Sequence, residues 1–183
     1  MKFVILLFFI ILYSCNSDHQ ENLTSKNLYD YDVEERIKEL SIELREPRKP
    51  KGKYLKSVRS GNLVFLSGNG PIRVDGTAIT GKVGTDLTIK QGYEAARLTA
   101  INQLSVLKAQ IGDLNKVEQI VRVFGMVNAD PSFTQHPDVI HGFSDLMVEI
   151  FGERGKHARA AVGMGSLPWN IACEIEMIVQ IEE

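Results

Sequence analysis

The most informative part of the chain is residues 157–168, which read His-Ala-Arg-Ala-Ala-Val-Gly-Met-Gly-Ser-Leu-Pro, followed at 173–176 by Cys-Glu-Ile-Glu. Arg159 stands among small residues at the start of a predicted buried strand. A buried guanidinium costs free energy unless it meets an anion, and its planar fork suits a carboxylate. Glu174 lies across a predicted hairpin and could supply that carboxylate. The sequence leaves open whether Arg159 pairs internally with Glu174 or recognises a ligand carboxylate.

The segments around this stretch predict a sheet. Residues 171–182 alternate apolar and polar side chains, which is typical of a long, half-exposed strand. Residues 117–127 and 158–166 are rich in apolar side chains and predict two more strands, the first of them buried. Earlier in the chain, residues 54–59 and 62–67 predict two strands that form a hairpin.

Two long helices are predicted between these strands. Thr88 and Gln91 form a capping-box signature, apolar residues follow at steps of three or four, and Gly112 stands where the helix should stop. Pro137 stands at a typical first helical position, and Gly152 ends a second apolar pattern of the same spacing. The two helices therefore alternate with the strands along the chain.

This order of elements predicts an α+β sandwich, a mixed sheet with two helices on one face. A shorter amphipathic helix is predicted over residues 32–44, with Asp30 or Asp32 as its cap. Several strands have apolar residues on both faces, which is more apolar surface than two long helices can cover. We therefore expect a second subunit to cover the open face of the sheet.

Composition narrows the functional classes. The 183 residues are 44% hydrophobic and 24% charged, which fits a globular domain and argues against long disorder. The chain contains one long apolar run, so it is not a multi-span membrane protein. The formal net charge of -2 gives no strong electrostatic reason to bind nucleic acid. Two cysteines are too few for a disulfide framework or the usual four-ligand zinc site.

The N-terminus predicts an exported protein. Met1-Lys2 and the eleven apolar or aromatic residues 3–13 resemble a secretory signal peptide, which we place at residues 1–14. The sequence Leu12-Tyr13-Ser14-Cys15 resembles a bacterial lipobox, whose cysteine receives a diacylglycerol and becomes the new N-terminus. A plain signal peptide cut near Ser14 is the alternative.

The lipobox defines the expected domain organisation and location. A lipidated Cys15 would begin a polar tether over residues 15–30, and residues 31–183 would form one domain with its core at 54–183. Acyl chains on Cys15 would anchor this domain stably to a membrane. We therefore expect a lipoprotein on the periplasmic side or in the outer membrane.

Several motifs together resemble the RidA/YjgF family, also called the L-PSP endoribonuclease family. The pattern A-R-x-x-V-x-x-x-x-L-P at 158–168, followed by E-I-E at 174–176, is similar to the family signature. Tyr54 and the run from Ser60 to Gly68 resemble the first hairpin of the family. The resemblance covers about residues 54–183, and residues 128–151 resemble a divergent subgroup.

The resemblance implies a chorismate-mutase-like fold, a homotrimer and hydrolysis of reactive enamines or imines to 2-oxo acids and ammonia in a cleft between subunits. It implies that Arg159 binds the substrate carboxylate and Glu174 assists water, both as catalytic residues. Tyr54, Ser67, Gly68, Asn69 and Ala161 match positions that line the cleft. Asn69 and Ala161 replace the family's usual Gln and Cys, which puts the substrate in question. The resemblance implies no metal and no organic cofactor.

Two other functions remain open. Enamines of this kind arise from pyridoxal-phosphate enzymes in the cytoplasm, which an exported protein would not meet. The chain could therefore be a trimeric protein that binds a small carboxylate without catalysis. Ribonuclease activity is the third reading, and the sequence has no cluster of basic residues with interleaved aromatics to support it.

Overall fold

A computed structural model describes residues 28–50 and 52–182. The elements follow one another in the order α1 (Val33–Glu39), β1 (Ser57–Ser60), β2 (Leu63–Asn69), α2 (Ile89–Ile111), β3 (Val117–Asn128), α3 (His136–Phe151), β4 (Ala158–Met164) and β5 (Cys173–Ile181). The five strands form one mixed sheet in the order β1-β2-β5-β3-β4, in which β3 and β4 are parallel and the other pairs are antiparallel. The predicted α+β architecture is confirmed.

The two long helices begin and end where the sequence predicts. The Thr88 side chain accepts a hydrogen bond from the backbone of Gln91, and the Gln91 side chain accepts one from Thr88, so the capping box is present. Gly112 ends α2 with a φ of 80°, a left-handed conformation that favours glycine. Gly152 ends α3 in the same way, with a φ of 57°. Local backbone chemistry therefore determines both helices.

The first helix is shorter than predicted. Asp32 caps it by accepting hydrogen bonds from two backbone N–H groups, but it ends at Glu39, and residues 42–50 have no regular secondary structure. Ile42 and Leu44 still pack against the core, so their apolar character reflects burial and not a continuing helix. The strand predicted from Tyr54 begins only at Ser57.

The sheet has two different faces. Both long helices pack on one face and form the core with it, as predicted. Because residues opposite each other on paired strands point to the same face, the register defines the other, open face. Its apolar residues include Val58, Leu63, Phe65, Phe124, Met126, Ala158, Ala160, Val162 and Ile178. Phe65 is 42% exposed and Val58 is 51% exposed.

The hairpin predicted between residues 158–166 and 171–182 is wrong. The strands β4 and β5 both pair with β3, which lies between them. The chain between them turns through residues 165–172, where a short 3-10 helix, Pro168–Asn170, interrupts the extended backbone. Arg159 and Glu174 are therefore not cross-strand neighbours.

The predicted signal peptide, the lipidation site Cys15 and most of the predicted tether lie outside the described residues. Within residues 28–50 and 52–182, no helix has the length and apolar character needed to cross a membrane.

Candidate functional site

A cavity of about 370 Å³ lies beside β2 and β5. Four of the predicted site residues line it, namely Tyr54, Gly68, Asn69 and Glu174. The other three, Ser67, Arg159 and Ala161, are not among its lining residues. The volume falls in the range of small-molecule sites, so the cavity suits a compact ligand.

Glu174 is the acidic group best placed for chemistry in this cavity. Its carboxylate packs directly against Gly68, where a Cβ atom would collide with it. Burial raises the pKa of Glu174, the nearby Glu176 raises it further, and Lys56 opposes the shift. Among the described residues, the Glu174 side chain has no hydrogen-bond or ion-pair partner. A half-buried carboxyl with a raised pKa and no partner is suited to exchange protons with a ligand.

Lys56 lines the same cavity as Glu174. Burial lowers the pKa of this lysine, and the Glu174 carboxylate opposes that shift. The Lys56 ammonium lies 6.0 Å from the centre of the Tyr54 ring, which is 48% exposed. The neutral forms of Lys56 and Glu174 are thus both favoured by burial. Lys56 was not among the residues predicted from the sequence, although it ends a stretch rich in Lys and Arg over residues 45–56.

Two amides of α2 hold the wall of the cavity. The Nδ2 of Asn102 donates to the backbone oxygens of Gly70 and Ile72, both at 3.0 Å. The Nε2 of Gln103 donates to the backbone oxygens of Ser67 at 3.0 Å and Ile175 at 2.6 Å. These bonds fix the irregular end of β2, where the register shifts between Leu66 and Asn69. Sequence reasoning missed both amides, although Gln103 is a polar residue within the apolar stripe of the helix.

Ser67 has a structural contact in this chain. Its hydroxyl donates to the backbone oxygen of Leu55 at 2.7 Å, and its backbone N–H donates to the backbone oxygen of Lys56 at 3.0 Å. The residue therefore ties β2 to the segment that leads into β1. The predicted contact of Ser67 with the cleft is not present within one chain.

Arg159 lies opposite the buried Val123 of the neighbouring strand β3. Because residues opposite each other point to the same face, Arg159 lies on the helix face of the sheet. Its Nη1 donates to the Oγ of Ser144 at 2.9 Å, and this oxygen is 3.0 Å from Nε2 of His157. Nδ1 of His157 is 2.7 Å from the backbone oxygen of Gly155. Because a backbone oxygen can only accept, Nδ1 carries a proton, and neutral His157 accepts from Ser144 through Nε2. Burial lowers the pKa of His157, which favours this neutral form.

The internal ion pair between Arg159 and Glu174 is wrong. Glu174 lies opposite Met126 of β3 and therefore on the open face, whereas Arg159 lies on the helix face. The strand β3 also separates the strands that carry these two residues. Within residues 28–50 and 52–182, no carboxylate forms an ion pair with Arg159. Burial lowers the pKa of its guanidinium, and Asp145 opposes the shift from a distance. The guanidinium therefore remains available to an anion from outside the chain.

Ala161 lies on the same side as Arg159. It is level with Gly125, whose missing side chain makes room for Ile140 of α3. The predicted site residues thus fall into two groups within one chain. Tyr54, Gly68, Asn69 and Glu174 line the cavity, and Arg159 and Ala161 lie on the edge strand β4 at the other end of the sheet order.

The cavity wall has further residues that sequence reasoning missed. Its basic side chains are Arg45, Arg48, Lys49, Lys56 and Arg73, and its acidic side chains are Glu46 and Glu174. Trp169 also lines the cavity, is 74% exposed and has a φ of 53°, a left-handed conformation that is uncommon for a bulky residue. The sequence-based statement that basic residues do not cluster near aromatics is therefore wrong for the folded chain.

Metal-binding groups do not gather at this cavity. In the described part of the chain, no set of three or more His, Cys, Asp or Glu side chains is placed to hold a metal ion. Cys173 is fully buried, lies 3.4 Å from the Thr99 hydroxyl, and has a pKa raised by burial to about 12. Its thiol is therefore a core group and not a nucleophile.

The family described as "YjgF/chorismate_mutase-like, putative endoribonuclease" matches residues 34–181 of the chain. The chain belongs to the YjgF family. The chain is 38% identical over 146 residues to protein TCP17 of Trypanosoma cruzi, which covers 79% of this chain and 91% of that protein.

Solved structures place the chain in the same YjgF fold. The chain is similar to protein Atu1372 of Agrobacterium tumefaciens, whose function is described as unknown, with 40% identity, a TM-score of 0.76, and coverage of 82% of this chain and 94% of that one. A Shewanella oneidensis protein carrying the same endoribonuclease description is 32% identical, with a TM-score of 0.79 and coverage of 82% and 100%. The chorismate-mutase-like fold expected from the motifs is confirmed.

Proposed function

We propose that this protein hydrolyses a reactive imine or enamine to a 2-oxo acid and ammonia, in a cleft between subunits of a homotrimer. Arg159 binds the substrate carboxylate, and Glu174 accepts and returns the proton of the attacking water. Tyr54, Gly68, Asn69 and the backbone of Ala161 line the cleft. The observation that carries this proposal is the half-buried Arg159 guanidinium, which has no acidic partner among the described residues.

The positions of Arg159 and Glu174 support a site shared by two subunits. They lie on opposite faces of one sheet, so a small ligand cannot touch both within one chain. A neighbouring copy can bring its β4 edge to the cavity of the first chain, because closed symmetry repeats the same contact around the ring. Each cavity would then receive the Arg159 of one neighbour.

The open face of the sheet supports the trimer. Val58, Phe65 and Ile178 lie together on paired strands of this face, and no helix covers them in the described chain. Monomers rarely expose a contiguous apolar patch of this kind. Packing three such faces against one another would remove this surface from water.

The reaction requires only orientation and proton transfer. The water oxygen bonds to the imine carbon as Glu174 takes a water proton, and the C=N π electrons move to nitrogen. Glu174 returns that proton to the nitrogen and so gives a carbinolamine. Glu174 then takes the hydroxyl proton of the carbinolamine and passes it to the nitrogen. As the C–N bond breaks with its electron pair going to nitrogen, ammonia leaves and the carbonyl of the 2-oxo acid forms. The raised pKa of Glu174 suits a group that both takes and returns a proton. The Arg159 fork holds the carboxylate and so orients the reacting carbon.

The basic cavity gives a specific reason to weigh RNA as a second ligand, since two exposed aromatics, Tyr54 and Trp169, stand among its cations. Stacked bases and a basic groove are how single strands are bound. However, no histidine of the described residues lines the cavity, and the volume of the cavity suits a compact ligand better than a strand. Imine hydrolysis therefore remains the proposed activity.

We also propose that the protein is exported and attached to a membrane through Cys15, from the Leu12-Tyr13-Ser14-Cys15 motif. An exported enzyme would act on imines that form outside the cytoplasm or reach the protein from the surroundings of the cell. Its natural substrate would then differ from the imines released by cytoplasmic pyridoxal-phosphate enzymes.

A hydrolysis assay tests the proposed activity. 2-Iminopropanoate is generated in solution, and pyruvate formation is measured with wild type, Arg159→Lys and the matched control Arg97→Lys. Arg97 pairs with Glu149 between the two long helices, away from the cavity, so its variant should keep the activity. Arg159→Lys keeps the charge but loses the planar fork, and should lose the activity while the assembly survives. Wild type that binds pyruvate without hydrolysing any imine would instead be a carboxylate-binding protein.

A further inference from the structure

The cavity concentrates positive charge in a chain that is slightly acidic overall. Among the described residues, five basic side chains and two carboxylates line it, whereas the formal net charge of the whole chain is -2. Three of the basic residues, Arg45, Arg48 and Lys49, come from the extended segment that follows α1. Arg73 comes from the turn after β2. A cleft lined by one sign of charge focuses its field and attracts ligands of the opposite sign.

The turn that carries Arg73 is well ordered by hydrogen bonds. The backbone N–H of Arg73 donates to the backbone oxygen of Thr77 at 2.8 Å, and its Nη1 donates to the backbone oxygen of Ala78 at 3.2 Å. Asn102 of α2 holds the start of the turn through the backbone oxygen of Ile72. The Arg73 guanidinium is therefore held at the cavity wall by the backbone of its own turn.

Arg48 contacts the same turn. Its guanidinium packs against Gly76, which leaves no room for a Cβ atom there. Asp75 belongs to this turn, and its pKa is lowered first by hydrogen bonds from Thr77 and further by the charges of Arg73 and Arg48. Neither arginine forms an ion pair with any carboxylate in residues 28–50 and 52–182. Two guanidinium groups thus flank one turn and retain free donors for a ligand.

We propose that the ligand of this cavity carries a second anionic group, a carboxylate or a phosphate, and that Arg48 and Arg73 bind it. This inference rests on the proposed function for the reacting end of the ligand, where Arg159 of a neighbouring subunit holds the first carboxylate. The substrate class is then a dianionic 2-imino acid, and the product is a dianionic 2-oxo acid. A cavity of about 370 Å³ holds a molecule of this size.

Calorimetric titration of the purified full-length protein in detergent tests the inference. The probes are 2-oxoglutarate, 2-oxopentanoate, phosphoenolpyruvate and a short single-stranded oligoribonucleotide. 2-Oxopentanoate has the chain length of 2-oxoglutarate but one carboxylate fewer. The ratio of their affinities therefore measures how much the second anionic group contributes to binding. We expect at least one dianion to bind about tenfold or more tightly than 2-oxopentanoate, because one charge-assisted hydrogen bond contributes that much.

Variants assign the effect to the two arginines. Arg48→Gln and Arg73→Gln should each bring the ratio close to one, while the matched control Arg59→Gln should keep it. Arg59 is exposed on β1, donates to the backbone oxygen of Gly61 and does not line the cavity. Tighter binding of 2-oxoglutarate would identify the second anionic group as a carboxylate. Tighter binding of phosphoenolpyruvate would identify it as a phosphate.

Three results would overturn the inference: equal affinities for mono- and dianions, a ratio that survives both variants, or an oligoribonucleotide that binds more tightly than either dianion. Failure of the proposed function looks different. A dianion preference that the variants abolish, in a protein that hydrolyses no imine, would leave the ligand class standing without the reaction. Imine hydrolysis with no dianion preference would leave the reaction standing without the ligand class.

Discussion

Arg159 and Glu174 point to opposite faces of the same sheet, and β3 separates their strands. This relationship excludes the ion pair that their sequence pattern allows. It leaves a guanidinium on one side and a carboxyl with a raised pKa on the other, each without an oppositely charged partner among the described residues. A ligand that needs both groups must therefore bind between two copies of the chain.

The shared site predicts complementation between inactive variants. Arg159→Lys and Glu174→Gln should each be inactive alone, but trimers assembled from an equal mixture should regain activity. A mixed trimer contains sites that take Arg159 from one intact subunit and Glu174 from another. Random mixing makes about a quarter of all sites complete.

The measurement is 2-iminopropanoate hydrolysis after the two variants are unfolded and refolded together. The control is the same mixture made without unfolding, which should stay inactive. Activity that does not return in the refolded mixture would argue that both groups act within one chain.

Glu174→Gln should change stability in a pH-dependent way. Burial raises the pKa of Glu174, so the folded state favours its protonated form. Its stabilising contribution is therefore complete below the ordinary pKa of 4.5 and is lost as the pH rises through the raised value. Glutamine stays neutral and avoids this loss.

The expected result is a Tm difference between Glu174→Gln and wild type that is absent below about pH 4.5 and favours the variant at neutral pH. Thermal unfolding across this range measures it. Glu43→Gln is the control, because Glu43 is exposed and does not line the cavity. A difference that grows toward acid would contradict the sign of the shift.

Gly68→Ala should impair catalysis without disturbing the fold. A Cβ at position 68 would collide with the Glu174 carboxylate and displace it from the cavity wall. Misplacing a catalytic group by about 1 Å can cost on the order of 100-fold in rate. Gly165→Ala is the control, since a Cβ there meets no atom within 4 Å. Equal hydrolysis rates in the two variants would show that the position of Glu174 does not matter.

The chain lacking residues 1–15 should sediment at roughly three times its monomer mass, because the open face of the sheet needs partners. Phe65→Glu places a charge in the middle of that face and should give monomers. Val148→Glu is the control, because Val148 is an exposed apolar residue of α3. A wild-type monomer, or a Phe65→Glu variant that keeps the trimer mass, would contradict the proposed assembly.

Cys15→Ala should release the protein from membranes or stall its processing, since the thiol would accept the lipid. Metabolic labelling with a radioactive fatty acid and membrane fractionation measure the two effects. Cys173→Ala is the control, because that thiol is buried in the core. A wild type that takes up no label and fractionates as the variant does would reject the lipobox interpretation.

The elements that depend on neighbours in the sequence were predicted well. The capping box at Thr88, the glycine stops at Gly112 and Gly152, and the alternation along β5 are all local patterns. Their physical cause, the pairing of terminal backbone groups and the periodic burial of side chains, acts within a few residues. The family motifs are likewise patterns of residues close together in the sequence, and the family match over residues 34–181 agrees with them.

Only the tertiary structure decided on which face of the sheet each site residue lies and which residues line the cavity. The sequence predicted a β4–β5 hairpin, but β3 pairs with both strands, and that long-range pairing places Arg159 and Glu174 on different sides. The cationic wall likewise joins the basic stretch 45–56, which the sequence shows, to Arg73 of the turn after β2. The order of the strands and the walls of the cavity depend on contacts between residues far apart in the chain. A local sequence pattern does not specify such contacts.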